Sequence, residues 1–139
     1  MTWLAILCAA ASLALSASFA HADPRRDAIL ADLLAQAKTA DSAFAGFAAE
    51  RGKAFFLATQ TGGKPDTTSC TACHTKDPKA KGQSRAGKEI APMAVSKTPD
   101  RFTDPEKIAK WFLRNCNSVL GRECTSAEKG HFITFMSSL

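Results

Sequence analysis

Cys70-Thr71-Ala72-Cys73-His74 is the stretch on which the reading of this 139-residue chain turns. Two thiols separated by two residues, with a histidine directly after the second, are spaced to add across the two vinyl groups of a haem and to bring the next side chain to its iron. Two other readings of a paired-cysteine motif compete. A redox dithiol needs a strand-to-helix setting, and a zinc site needs a second ligand pair. No convincing strand precedes Cys70, and the adjacent histidine favours haem c, one per chain, attached at Cys70 and Cys73 with His74 as iron ligand.

Upstream, Leu4 to Leu15 is apolar and uncharged but too short to span a bilayer, and Ala20-His21-Ala22 offers small residues at a cleavage position. Residues 1–22 are therefore expected to be an export signal and residues 23–139 a single cytochrome domain, since about 117 residues suit one domain. Export implies a periplasmic location and an oxidising compartment for Cys116 and Cys124. The net charge of +5 falls wholly after residue 22. Five basic side chains, Lys76, Lys79, Lys81, Arg85 and Lys88, against the acidic Asp77 and Glu89, make the segment after the motif a docking face for an acidic partner or a solvated basic loop. Nucleic acid is not an expected partner there.

The rest of the chain reads as helices around the motif. Asp23-Pro24 caps and starts a first helix, with Ile29, Leu30, Leu33, Leu34 and Ala37 as its stripe, running to about Lys38. Asp41 or Ser42 is expected to cap a second that carries Phe44, Phe47, Ala48 and Phe55 and ends before Thr61-Gly62-Gly63-Lys64-Pro65. Gly52 inside it predicts close approach of another helix. Thr75 to Arg101 reads as loop. Thr103-Asp104-Pro105-Glu106 opens a third helix with Ile108, Trp111 and Phe112, and Thr125-Ser126-Ala127-Glu128 opens a last one with Phe132, Phe135, Met136 and Leu139. The arrangement resembles the class I cytochromes c, in which the first and last core helices cross at a glycine facing an aromatic; Gly52 and Phe132 or Phe135 fit those places. The expected fold is all-α, class I cytochrome c-like, with an extra N-terminal helix.

His74 should donate its second ring proton to a backbone carbonyl, with Pro92 or Pro78 as the source. The sixth ligand is less direct. The segment between the last two helices, roughly Arg114 to Cys124, contains neither Met nor His. Asn115 continues the face of Ile108, Trp111 and Phe112, which places an amide at the edge of an apolar pocket, either as an iron ligand or as a cap of the helix C-terminus. Asn117 lies off that stripe and is expected in solvent. Met93 has the right chemistry but precedes the third helix, and would make the protein an ordinary electron carrier. Met136 reads as core and His131 as a half-exposed surface residue. A Cys116 or Cys124 thiolate is a further donor, but export and a separation of eight residues favour a disulfide, worth roughly 2.5 kcal/mol on the chain-entropy estimate.

The run Trp111-Phe112-Leu113-Arg114-Asn115-Cys116, the later Gly121-Arg122-Glu123-Cys124-Thr125 and His74 together resemble the sphaeroides haem protein family over most of the chain after residue 22. The resemblance implies that Asn115 is the sixth ligand, that Cys116 pairs with Cys124, and that the asparagine leaves on reduction so that O2 or NO can bind. It also implies redox partners of two kinds, a dihaem cytochrome c and a membrane cytochrome b. A monomer is expected. The chemistry agrees: an amide oxygen is a hard, weak donor that suits ferric iron better than the softer ferrous state.

Overall fold

A computed structural model describes residues 22–139. The export signal read over 1–22 lies, but for Ala22, outside them. Within the described residues the chain forms α1 (Pro24–Ala40), α2 (Ala49–Leu57), a single turn α3 (Thr71–His74), two two-residue strands β1 (Gly82–Gln83) and β2 (Glu89–Ile90), α4 (Pro105–Leu120) and α5 (Ser126–Ser137). The strands pair antiparallel and close the tip of the long loop after α3. The architecture is all-α, as the sequence implied.

The starts of α1, α4 and α5 follow local chemistry. Asp23 accepts from the Arg25 amide at 2.9 Å, with Pro24 opening α1. Thr125 and Glu128 form a reciprocal capping box at α5. At α4 the cap is Asp104, which accepts from the Lys107 amide at 3.0 Å, rather than the Thr103–Glu106 box the sequence suggested; the Thr103 hydroxyl instead donates to the Asp100 carbonyl at 2.7 Å.

Two boundaries differ from expectation. Residues 41–48 are not helical, and α2 begins only at Ala49. Asp41 closes a local turn by accepting from the Ala43 amide, and Gly46 has φ +124°, a conformation foreign to a helix and open to glycine. The Phe44 and Phe47 rings that looked like one helix face instead pack on each other and on His131, with centroids 5.5–5.7 Å apart. At the other end of the chain, α4 runs past Arg114 to Leu120 and stops at Gly121, whose φ of +69° is the left-handed cap typical of glycine.

The core is built where α5 crosses α2. A Cβ on Gly52 would clash with the His131 carbonyl oxygen and sit 2.7 Å from the Phe135 Cβ, so only glycine allows the two backbones to approach this closely. Phe56, Phe132, Phe135, Met136 and Met93 form one buried cluster there, and each buried large apolar side chain adds roughly 1.5–3 kcal/mol. Helix α1 also packs on α5, and buries Leu33 and Ala37. The loop over 75–101 is pinned to this core: the Val95 amide donates to the Met136 carbonyl at 3.0 Å, and the amides of Met93 and Ala94 both donate to the Pro78 carbonyl.

Candidate functional site

The turn of α3 sets the site. Backbone bonds from the Cys73 and His74 amides to the Cys70 carbonyl, at 3.3 and 3.1 Å, stack Cys70 and Cys73 one turn apart on the same side. Gly82 lies directly behind that turn, where a Cβ would strike the Cys73 carbonyl, so the loop backs the motif closely. In front is a cavity of about 770 Å³, within the usual range for cofactor sites, walled by Cys70, Cys73 and His74 on one part and by Phe112, Asn115 and Met93 on others. Four residues singled out in the sequence from segments far apart, Cys70, Cys73, His74 and Asn115, therefore share one chamber.

Both motif cysteines are unpaired thiols. Burial pushes the Cys70 thiol up to about 11 against a backbone hydrogen bond that lowers it, with a smaller upward push from the neighbouring Cys73. A catalytic dithiol requires the reverse, a depressed thiol. Cys116 and Cys124 are joined to each other, with Cα atoms 5.6 Å apart, so they cannot complete a zinc site with the motif. Burial, aided by the charge of Arg101, lowers the His74 ring to about 4, which keeps it neutral near pH 7, the form that ligates metal.

The expected acceptor for the His74 ring is not found. Nδ1 of His74 is buried without a hydrogen-bond partner. The Pro92 carbonyl is taken by the Thr98 hydroxyl at 2.9 Å and Arg101 Nε at 3.1 Å, and the Pro78 carbonyl by two amides. An orphaned imidazole nitrogen beside two free thiols, all on the wall of one apolar chamber, fits a covalently attached haem.

Asn115 is in the body of α4, five residues before its end, and is exposed on the cavity wall. It is not the C-terminal cap, a role Gly121 fills. Trp111, 52% exposed, lies one turn before it on the same wall. Asn117 is exposed and away from the cavity, as expected. Cys116, next to Asn115, is buried at the back of the cavity wall, and its bond to Cys124 ties the end of α4 to the start of α5. Met93 also reaches the cavity, but it is 7% exposed and packed into the aromatic cluster. Met136 is fully buried core.

His131 is the plain correction. It is 7% exposed rather than half-exposed, and its Nδ1 accepts from the Ala48 amide at 2.9 Å. The helix that carries it buries Gly130, His131, Phe132, Ile133, Phe135 and Met136, more than one face. The run Phe132-Ile133-Thr134-Phe135-Met136 was the available sign, because near-continuous apolarity marks a helix enclosed on several sides. Arg101, on the cavity wall, and Arg26, which holds it, were not singled out in the sequence at all. Of the basic loop residues, Lys81 pairs with Glu89 and Arg85 with Asp66, and all five are exposed.

The family described as a domain of unknown function (DUF1924) matches residues 42–136. The cytochrome c-type protein SHP of Cereibacter sphaeroides is 60% identical over 90 residues, covering 65% of this chain and 70% of that protein. Among solved structures, oxidized SHP, described as an oxygen-binding cytochrome c, is similar with a TM-score of 0.75 and 51% identity over 82% of this chain and 96% of that one. The solution structure of Methylophilus methylotrophus cytochrome c'', described as giving insight into haem-ligand detachment, is similar with a TM-score of 0.70 and 28% identity over 84% of this chain and 94% of that one.

Proposed function

This chain belongs to the DUF1924 family and to the family of the cytochrome c-type protein SHP, whose members carry one covalent haem c, and we propose that it is a periplasmic electron-transfer cytochrome with a labile asparagine ligand. In this reading Cys70 and Cys73 would hold the haem through thioethers and His74 would ligate its iron. Asn115 would supply an amide oxygen as a second protein ligand to ferric iron. When bound, the haem supplies one-electron redox chemistry and a coordination position that small gases can occupy.

One observation carries the proposal: Asn115 and the Cys70–His74 turn wall the same chamber, and among the described residues the amide has no hydrogen-bond partner. Set on a regular helix beside a disulfide, the amide is held at the chamber by a stiff backbone and not by bonds of its own. Such an amide would bind iron weakly and better in the ferric than in the ferrous state, so that a reduced haem would be open to O2 or NO. The likeness to an oxygen-binding cytochrome supports an opening site over permanent closure by methionine. Met93 is fastened by its backbone amide to Pro78, in the loop that begins at His74, and its side chain is already engaged in the apolar cluster. Electrons enter from a dihaem cytochrome c or a membrane cytochrome b that docks by acidic groups against the exposed basic side chains.

Absorption spectra of the purified haem protein test this reading in ferric, ferrous and carbon monoxide-treated ferrous forms, for the wild type, Asn115→Ala and Met93→Leu. The expected result is a high-spin ferrous form that shifts with carbon monoxide, a ferric spectrum altered by Asn115→Ala, and near-silence from Met93→Leu. A low-spin ferrous form indifferent to carbon monoxide, with Met93→Leu disruptive and Asn115→Ala silent, would make the protein an ordinary methionine-ligated carrier.

A further inference from the structure

Arg101 is a cation on the cavity wall that is held in no ion pair among the described residues. It is half-buried, and burial draws its pKa below the ordinary arginine value despite the opposing charge of Asp100. Its Nε donates to the Pro92 carbonyl at 3.1 Å and its Nη2 to the Ala91 carbonyl at 2.5 Å, both neutral acceptors. The ion pairs among the described residues do not include it. A guanidinium carries five donor hydrogens, so these two bonds fix its orientation and leave much of its fork and all of its charge available. A charge taken from water without a counter-ion is costly, and such residues persist where a partner arrives.

The backbone of Arg101 is held as firmly as its side chain. Arg26 of α1, only 2% exposed, donates to the Arg101 carbonyl through Nε at 3.0 Å and Nη2 at 2.9 Å, and to the Pro99 carbonyl at 2.6 Å. The N-terminal helix, an addition to the core helices, thus reaches the loop segment that carries a cavity cation. Other cations on the wall are differently placed: Arg25 is paired with Asp23, Lys107 with Asp104, and Lys88 is exposed to water.

Haem brings two propionate carboxylates into such a chamber, and a planar guanidinium suits a carboxylate geometrically. We propose that Arg101 is the counter-ion of a haem propionate and that Arg26 is its positioning residue, which makes α1 a structural part of the cofactor pocket. This rests on haem attachment at Cys70 and Cys73, and does not depend on which residue takes the sixth position.

The test is the midpoint potential of the haem protein from about pH 5 to 8, for the wild type, Arg101→Gln, Arg101→Lys and Arg26→Gln. The pyridine haemochrome spectrum of each denatured protein establishes attachment separately, so failure of the attachment reading is distinguished from failure of this one. In the wild type the paired carboxylate stays ionised and gives a flat profile. Arg101→Gln removes a nearby positive charge, favouring ferric haem on the order of tenfold, a fall of about 59 mV for a one-electron couple. It also lets the carboxylate titrate, so that the potential declines as pH rises. Arg101→Lys restores most of the potential and flattens the profile, and Arg26→Gln gives a smaller fall of the same sign. Equal effects of Arg101→Gln and Arg101→Lys, or an unchanged potential in Arg101→Gln, overturn the proposal. A shift that vanishes when phosphate and chloride are removed assigns Arg101 to a soluble anion and overturns it too. Should Arg101→Gln fail to fold, an Arg26→Gln protein of lowered stability but wild-type potential and profile overturns it equally.

Discussion

Replacing Gly52 by alanine tests the central helix crossing. The added Cβ would lie 2.6 Å from the His131 carbonyl carbon and 2.7 Å from the Phe135 Cβ, besides striking the His131 oxygen. Two of these neighbours are backbone and the third is a Cβ, so no flexible chain end can move aside. Relief requires the backbones of α2 and α5 to part, which loosens the contact of Phe56 with Phe132 and Phe135 and stretches the hydrogen bond from the Ala48 amide to His131. Overpacking costs about 1–3 kcal/mol and a backbone-limited clash belongs at the upper end. The stretched bond adds about 1 kcal/mol. Alanine returns up to about 1 kcal/mol of helix propensity over glycine. The net expectation is a loss of about 3 kcal/mol, equivalent to roughly 10 °C in Tm for a domain of this size. Guanidinium unfolding of the haem protein, followed by far-ultraviolet circular dichroism, measures it. An alanine variant as stable as the wild type, or more stable by its helix propensity, would mean that α2 and α5 do not meet at Gly52.

Substituting His131 by phenylalanine keeps the ring packing on Phe44 and Phe47 but strands the Ala48 amide, and should cost about 1–3 kcal/mol in the same unfolding assay. Glu128 is held below the ordinary carboxylate range by its bond to Arg122, with the Thr125 amide assisting against burial. Because its folded pKa is lowered, its contribution is whole above about pH 4.5 and disappears as pH falls through the folded value. Glu128→Gln should therefore cost about 1 kcal/mol at pH 7 and progressively less as the pH is taken below about 4.5, as read from denaturant midpoints over a pH series. The Cys116→Ser, Cys124→Ser double variant should lose roughly 2.5 kcal/mol while keeping its haem, since the bond closes a short loop outside the attachment motif.

The Cys70–His74 turn was legible as a unit because its pattern is local: five consecutive residues bring two thiols and an imidazole to one wall of the chamber. Gly52 was legible for a related reason, since a glycine inside a helix without a turn to serve implies a neighbour, and α5 is that neighbour. The starts of α1 and α5 were written in capping residues. What escaped were features decided by packing from elsewhere. Phe44 and Phe47 have helical spacing, yet His131 and Gly130 draw both rings into a non-helical segment. Nothing near residue 26 or 101 distinguishes those arginines from their solvated neighbours. Their roles arise from a contact between chain positions 75 residues apart.

The placement of Asn115 gains force from how α4 is fastened. Asp104 caps its first turn. At its far end the Gly62–Gly63 turn lies directly on the carbonyls of Ser118 and Leu120, the Lys64 amide donates to the Ser118 carbonyl at 2.7 Å, and Cys116 is bonded to Cys124. A helix held at both ends in this way offers little freedom to its middle. The Gly62–Gly63 approach is the part that matters most, because backbone against backbone leaves no side chain to yield. Loss of the amide in Asn115→Ala therefore leaves the wall of the chamber where it was, and a changed ferric spectrum in that variant reports on the amide itself and not on a displaced helix.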